Sequence, residues 1–285
     1  MILLDGKALS AHIQEQLKVT IASLPRPPKI VVILVGDDAP SRAYVTMKAK
    51  ACANVGMCGE ILEFGQQINE KELIKQIQQL NNDVSVDGIL VQLPLPKHID
   101  TSAILESIDP QKDVDGFHPF NVGRIQCKTK LDSAFAPATA LGIMRLLSHY
   151  DIKVSGKNVA IVGASNIVGK PLAALMHNAG ATTSLCHILT KDIKLYTKSA
   201  DIVCVGVGKV NLIRADMIQE GAVVIDIGIN RLDSGALVGD VDFENVCKKA
   251  SFITPVPGGT GPMTVACLLE NTLKAYQLRS YTKSC

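Results

Sequence analysis

N-V-A-I-V-G-A-S-N-I-V-G-K-P, residues 158–171, carries the clearest local pattern in the chain. It reads as a short apolar strand that breaks at Gly163 and restarts as a helix. Gly163 permits a tight turn, Ala164 and Ser165 leave room for a ligand at the backbone, and the free N–H groups opening a helix attract anions. The spacing departs from the usual dinucleotide fingerprint, because Ser165 stands where the second glycine belongs and Gly169 falls one residue late. Taken alone, the stretch is equally an ordinary strand-to-helix turn of an α/β domain.

The rest of the chain supports the α/β reading. Its 285 residues are enough for two domains, each with its own core. With 47% hydrophobic residues, 20% charged and no tryptophan, the chain is aliphatic and globular. A net charge of +2 with no run of like charges excludes a polyanion-binding surface, so neither nucleic acid nor membrane has a footprint. The N-terminal M-I-L-L-D-G-K has too short an apolar run for a signal peptide, which predicts a cytoplasmic protein. The eight cysteines, Cys52, Cys58, Cys127, Cys186, Cys204, Cys247, Cys267 and Cys285, form no C-x-x-C pair and no metal-ligand spacing, and read as small hydrophobes in a reducing compartment.

Along the chain, helical spacing over residues 7–24 precedes a buried strand at 30–35, a helix to Asn54 and a strand at 60–64. An amphipathic helix over 69–82 and a strand at 88–93 follow. This βαβα order predicts a parallel sheet. On the helix before Asn54, Tyr44 and Lys48 stand four apart and share a face. A phenol beside an ammonium can handle protons where water is partly excluded. Spacing by itself favours the plainer reading of a packing tyrosine beside a solvated lysine. Gln92 lies at the carboxyl end of its strand, where open α/β sheets place ligands, and a neutral amide there could orient a lysine without locking it in an ion pair.

Residues 108–119, I-D-P-Q-K-D-V-D-G-F-H-P, read as a loop. Asp109, Asp113 and Asp115 lack the spacing and terminal glutamate of a calcium loop, so no metal is expected. A single aspartate can instead accept two hydrogen bonds from the amidine-like edge of a pterin or purine. His118 beside Pro119 reads as structural. Residues 121–135 read as irregular and 137–150 as a helix into the second domain. There, 169–178 reads as a helix, 182–187, 200–206 and 222–230 as strands, 232–241 as a hairpin around D-S-G, and 263–278 as a helix.

Five motifs in order, Y-V-T-M-K at 44–48, D-G-I-L-V-Q-L-P-L-P at 87–96, K-D-V-D-G-F-H-P at 112–119, G-A-S-N-I-V-G-K-P at 163–171 and P-V-P-G-G-T-G-P-M-T at 255–264, span nearly the whole chain. Together they resemble the bifunctional methylenetetrahydrofolate dehydrogenase/methenyltetrahydrofolate cyclohydrolases of the FolD type. The resemblance implies an N-terminal three-layer α/β domain that binds folate, residues 1–137 and 265–285, and a Rossmann-like NADP-binding domain, residues 138–264. It places the active site in the cleft between them. It implies that Lys48 is the catalytic lysine beside Tyr44 and Gln92, flanked by Val91 and Leu93, and that Asp115 grips the pterin. Pro257, Gly258, Gly259, Thr260 and Gly261 would line the same pocket, while Gly163, Ala164, Ser165, Gly169, Ile188, Thr190 and Ile229 would meet the cofactor.

The implied chemistry is hydride transfer from 5,10-methylenetetrahydrofolate to a nicotinamide, then hydrolysis of the methenyl cation to 10-formyltetrahydrofolate. No Asp or Glu ends the strand at 182–187, which favours NADP over NAD. Similar bacterial chains commonly carry arginine where this one has Ile188, so NAD stays possible, with Thr190 or Lys191 as substitute phosphate contacts. The family's P-C-T-P is here Pro137, Ala138, Thr139, Ala140, and a homodimer is implied. The hairpin is either part of the pairing surface or a surface ribbon.

A short-chain dehydrogenase shares Y-x-x-x-K, but there the pair follows the dinucleotide turn, whereas Tyr44 and Lys48 precede Gly163. A non-catalytic nucleotide-binding module needs the turn but not Lys48, Gln92 and Asp115. A dehydrogenase lacking cyclohydrolase activity is the remaining alternative within the family.

Overall fold

The computed structural model describes residues 1–281. Cys285 lies outside them; the other seven cysteines are free thiols. The chain divides into two compact units, Met1–Ala11 with Thr139–Cys267, and His12–Ala138 with the segment from Leu268 onward.

In chain order, the elements up to Ala138 are β1 (Ile2–Leu3), α1 (Gly6–Ala22), β2 (Lys29–Val35), α2 (Ala39–Asn54), β3 (Cys58–Phe64), α3 (Glu70–Asn82), β4 (Gly88–Val91), α4 (Thr101–Glu106) and α5 (Pro119–Cys127). The unit built from His12–Ala138 carries a three-stranded parallel sheet in the order β3-β2-β4. K-I-V-V-I-L-V of β2 is buried along nearly its whole length, as a central parallel strand covered on both faces requires. Val31, Ile33 and Val35 pack with Leu73 and Ile77 of α3 and Ile104 of α4. The helix starts are capped as the sequence suggests, with Asp38 accepting from Ser41 N at 2.9 Å and Asn69 from Glu72 N at 2.9 Å.

The stretch 121–135, expected to be irregular, is instead occupied by most of α5 and a short 3₁₀ turn at Leu131–Ser133. His118 Nδ1 accepts from Phe120 N at 3.0 Å and Pro119 opens the helix, so histidine and proline together start it rather than extend a loop.

The remaining elements are α6 (Ala138–His149), β5 (Asn158–Val162), α7 (Gly169–Asn178), β6 (Thr182–Cys186), α8 (Lys194–Thr197), β7 (Ile202–Val205), β8 (Val223–Asp226), β9 (Asn230–Arg231), β10 (Leu237–Val238), α9 (Phe243–Val246), β11 (Phe252–Ile253) and α10 (Thr260–Tyr281). Five of these strands join β1 in a six-stranded sheet of order β1-β11-β8-β7-β5-β6, parallel at every pairing. Its core joins Ala160, Val162, Val203, Val205, Val224 and Ile253. β1, two exposed residues that local patterning gives no reason to place here, pairs with β11. The expected hairpin is present as β9 and β10, turning through Gly235 at φ +84°. Ala138 and Ala140, which replace the family's cysteine and second proline, are buried in the first turn of α6.

Candidate active site

Lys48 lies on the inward face of α2 with Ser41, Val45 and Cys52 and keeps only 8% of its surface exposed. It is therefore not the solvated neighbour that spacing alone favours. Its Nζ donates to Gln92 Oε1 at 3.0 Å, and Gln92 Nε2 donates to the Leu93 carbonyl at 2.8 Å. The second bond turns the amide so that its oxygen faces the lysine. A neutral acceptor satisfies a buried ammonium without stabilising its charge as a carboxylate would. Burial pushes the Lys48 pKa below the ordinary lysine value, with the nearby Asp115 charge opposing it.

The Asp115 charge acts on this lysine because the preceding loop is built onto the sheet. Ile89 N donates to the Lys112 carbonyl at 2.8 Å, and Ile89 and Asp113 form a parallel bridge, a register that carries Asp115 toward the carboxyl end of β4. The buried Asp113 carboxylate then accepts from the N–H groups of Gly116, Phe117 and His118 at 3.1, 3.1 and 2.9 Å and from Asn121 Nδ2 at 2.8 Å. Gly116 is required at this bend, with φ +75° and a Cβ position 2.6 Å from the Ala136 carbonyl carbon. Asp113 and Asn121 escape a sequence reading that weighs the aspartates only as metal ligands or pterin contacts.

Asp115 itself has no hydrogen-bond partner among the described residues, and burial pushes its carboxyl pKa up to about 6, with Lys48 opposing and Asp113 adding to the shift. An acceptor-only carboxylate left unpaired in a partly desolvated position is ready to receive two N–H donors from a ligand. Tyr44 is half-buried and its phenol pKa is raised by that burial. Val91 is buried at the end of β4 and Leu93 follows it, half-buried. The Cys52 thiol, one turn beyond Lys48, is pushed up to about 11 by burial and stays a protonated packing group.

Gln92 is the most direct handle on the lysine. Gln92→Glu would place a carboxylate against Nζ and hold it as an ammonium. The expected result is a lower hydrolysis rate at neutral pH and a rising limb of the pH–rate profile displaced upward, measured as kcat/KM against pH.

In the other unit, Gly163 turns at φ +119°, and a Cβ there would lie 2.6 Å from the Gly206 carbonyl oxygen. A Cβ on Gly169 would fall 1.8 Å from the Gly163 carbonyl oxygen, so the late glycine is what lets α7 close against the turn. Ser165 Oγ accepts from Val168 N and Gly169 N at 3.2 and 3.4 Å. The N–H groups of Ala164, Ser165, Asn166 and Ile167 reach no protein acceptor among the described residues, which fits a phosphate-bearing ligand. Beyond β6 the chain closes a turn in which His187 N donates to Thr190 Oγ1 at 3.0 Å and Thr190 N to the His187 carbonyl at 2.9 Å. Ile188 projects from that turn, 98% exposed, and no carboxylate stands among residues 186–191 to repel a 2′-phosphate.

Ile229 is half-exposed in the loop after β8. Pro257 and Gly258 lead into α10, which begins at Thr260, earlier than the expected 263. Thr260 is buried and its hydroxyl turns inward to the Asp226 carbonyl at 3.4 Å, while a Cβ on Gly261 would lie 3.9 Å from Ile229 Cδ1.

The family model of the tetrahydrofolate dehydrogenase/cyclohydrolase catalytic domain matches residues 4–115, and that of the NAD(P)-binding domain of the same enzymes matches residues 137–280. The bifunctional protein FolD of Helicobacter hepaticus is 61% identical over 98% of this chain and 98% of its own length. A crystal structure of the bifunctional FolD methylenetetrahydrofolate dehydrogenase/cyclohydrolase of Campylobacter jejuni superposes with a TM-score of 0.95 at 55% identity, covering 98% of this chain and 99% of that one. The Trypanosoma brucei enzyme, whose structure was determined with NADP and an inhibitor, superposes at 0.93 with 36% identity over 98% of both chains. With both halves of the chain matched in order, this protein belongs to the tetrahydrofolate dehydrogenase/cyclohydrolase family.

Proposed function

We propose that Lys48, Gln92, Tyr44 and Asp115 carry the folate chemistry of this bifunctional enzyme, and that the turn at Gly163 to Gly169 holds NADP. The enzyme oxidises 5,10-methylenetetrahydrofolate and hydrolyses the methenyl product to 10-formyltetrahydrofolate. The observation that carries the assignment is the buried Lys48 amine, held 3.0 Å from a neutral amide and beside an unpaired carboxylate.

When bound, the dinucleotide supplies the hydride acceptor, and this chain's residues supply binding and orientation. Gly163, Ala164, Ser165 and Gly169 offer the phosphate cradle, Ile188 and Thr190 flank the ribose end, and Ile229 offers an apolar contact. Asp115 accepts from the pterin edge, and Val91 and Leu93 contribute further folate contacts.

In hydrolysis, water attacks the methenyl carbon. The neutral Lys48 amine takes the water's proton as the C–O bond forms. It returns a proton to the departing ring nitrogen while the carbinol O–H proton is released and the formyl C=O forms. The cationic substrate favours the neutral amine further. Gln92 aims Nζ, and Tyr44 closes the site with a phenol that stays protonated at neutral pH.

The assignment of NADP is tested by supplying methylenetetrahydrofolate with NADP and with NAD in parallel, following reduced cofactor and methenyl absorbance separately. Faster reduction of NADP with little methenyl build-up is expected. Faster reduction of NAD would overturn the cofactor reading. A homodimer in the cytoplasm completes the proposal. Its support is the exposed apolar surface of Leu185 on the edge strand β6 and of Leu195 and Tyr196 on α8, which a second copy would cover, and free thiols suited to a reducing compartment. No helix among the described residues is long and apolar enough to cross a membrane.

A further inference from the structure

We infer that Asp240, backed by Asp226, is a positioning residue for the dehydrogenase half of the reaction, fixing the loops after β7 and β8 in the shape that receives the dinucleotide. The inference rests on the cofactor reading above, which assigns the turn at Gly163 and the side chain of Ile229 to that ligand.

The Asp240 side chain is fully buried and meets no cation among the described residues. Its carboxylate accepts from three consecutive backbone N–H groups, Val207 at 2.6 Å, Gly208 at 3.0 Å and Lys209 at 2.8 Å, and from Asn230 Nδ2 at 2.9 Å. Consecutive N–H groups converging on one anion form a nest, here filled by the protein's own carboxylate. Asp226, at the end of β8, accepts from Gly228 N at 3.0 Å, Asp240 N at 3.0 Å and Val241 N at 2.9 Å. The two acids are packed crosswise. A Cβ on Gly228 would lie 2.3 Å from Asp240 Cγ, and one on Gly239 would lie 1.9 Å from Asp226 Oδ2.

These bonds end where the cofactor reading begins. Val207 follows Gly206, whose N–H donates to the Val162 carbonyl at 3.0 Å and whose own carbonyl oxygen packs on the Gly163 turn. Gly228, fixed by Asp226, precedes Ile229, and Asn230, fixed to Asp240, follows it. Both loops leave the carboxyl ends of parallel strands, where dinucleotides bind in such sheets. A buried carboxylate held by three loop N–H groups and the Asn230 amide ties those loops together, so its removal loosens the surface presented to the ligand.

Asp240→Asn keeps the size of the side chain but turns a donor toward N–H groups. The KM for NADP is expected to rise about tenfold or more, as for loss of hydrogen bonds to a charged group, with a much smaller change in kcat. Hydrolysis of methenyltetrahydrofolate supplied directly uses no dinucleotide and is expected to stay at the wild-type rate. Asn230→Ala, which deletes the amide that donates to Asp240 and to the Gly239 carbonyl, should raise the same KM by a few-fold and covers the case in which Asp240→Asn fails to fold. An unchanged KM for NADP in the folded variants, or equal losses in dehydrogenation and hydrolysis, would overturn the inference. Failure of the wild-type enzyme to reduce NADP would instead remove the cofactor reading on which it rests.

Discussion

Replacing Lys48 by alanine is expected to lower the hydrolysis of methenyltetrahydrofolate by roughly 10²- to 10⁴-fold, the usual contribution of a positioned general base. The loss follows from the position of the amine. Lys48 sits on the buried stripe of α2, its Nζ is aimed by Gln92, and burial lowers its pKa, which raises its neutral fraction above that of an exposed lysine. Alanine occurs beside this position at Ala49 and Ala51, and helix propensity rises with the change, so α2 is expected to form normally. NADP binding, read by quenching or calorimetry, should be unaltered, because no cofactor contact is assigned to α2. Lys48→Arg should not rescue hydrolysis, since a guanidinium stays protonated and cannot accept the proton. Wild-type hydrolysis in the alanine variant would remove Lys48 from the mechanism.

Asp115→Asn is expected to raise the KM for methylenetetrahydrofolate by roughly tenfold to a hundredfold, the cost of removing a charged acceptor from a hydrogen-bonded pair, while leaving the KM for NADP unchanged. The wild-type pH dependence follows from the same residue. Only the ionised carboxylate accepts both donors of the pterin edge, and burial sets this carboxyl at about 6. As pH falls through that value the group takes up a proton, so folate kcat/KM should fall on the acid side and recover above it. In Asp115→Asn that acid limb should be absent. Equal weakening of folate and cofactor binding, or an acid limb that persists in the variant, would contradict the assignment.

Local signals carried much of the fold. The buried run of β2, the capped start of α3, and the apolar strand and glycine turn of β5 into α7 each follow from a pattern within one element. The site was legible only in part. Tyr44 and Lys48 share a helix face by spacing, yet whether that face turns inward depends on tertiary packing, which is why the plainer reading of Lys48 failed. Helix α5 was obscured because Pro119 looks like a loop residue until His118 is seen capping the helix that it opens.

The buried acids were the least visible. Asp113 reads as a loop aspartate, Asp226 as a strand residue and Asp240 as part of the hairpin, and their roles depend on backbone N–H groups gathered from turns and neighbouring strands. Gly228 and Gly239 were the available clue for Asp226 and Asp240, because each glycine packs against the carboxylate of the other acid and leaves no room for a Cβ.

The role of Lys48 is tested most sharply by the pH dependence of methenyltetrahydrofolate hydrolysis, measured without dinucleotide, in the wild-type enzyme and in Lys48→Ala. The wild-type rate is expected to rise with pH through a midpoint below the ordinary lysine value of 10.5, and in the variant both that limb and most of the rate are expected to be gone. A profile of the same shape and height in the two proteins would contradict the assignment of the proton transfer to Lys48.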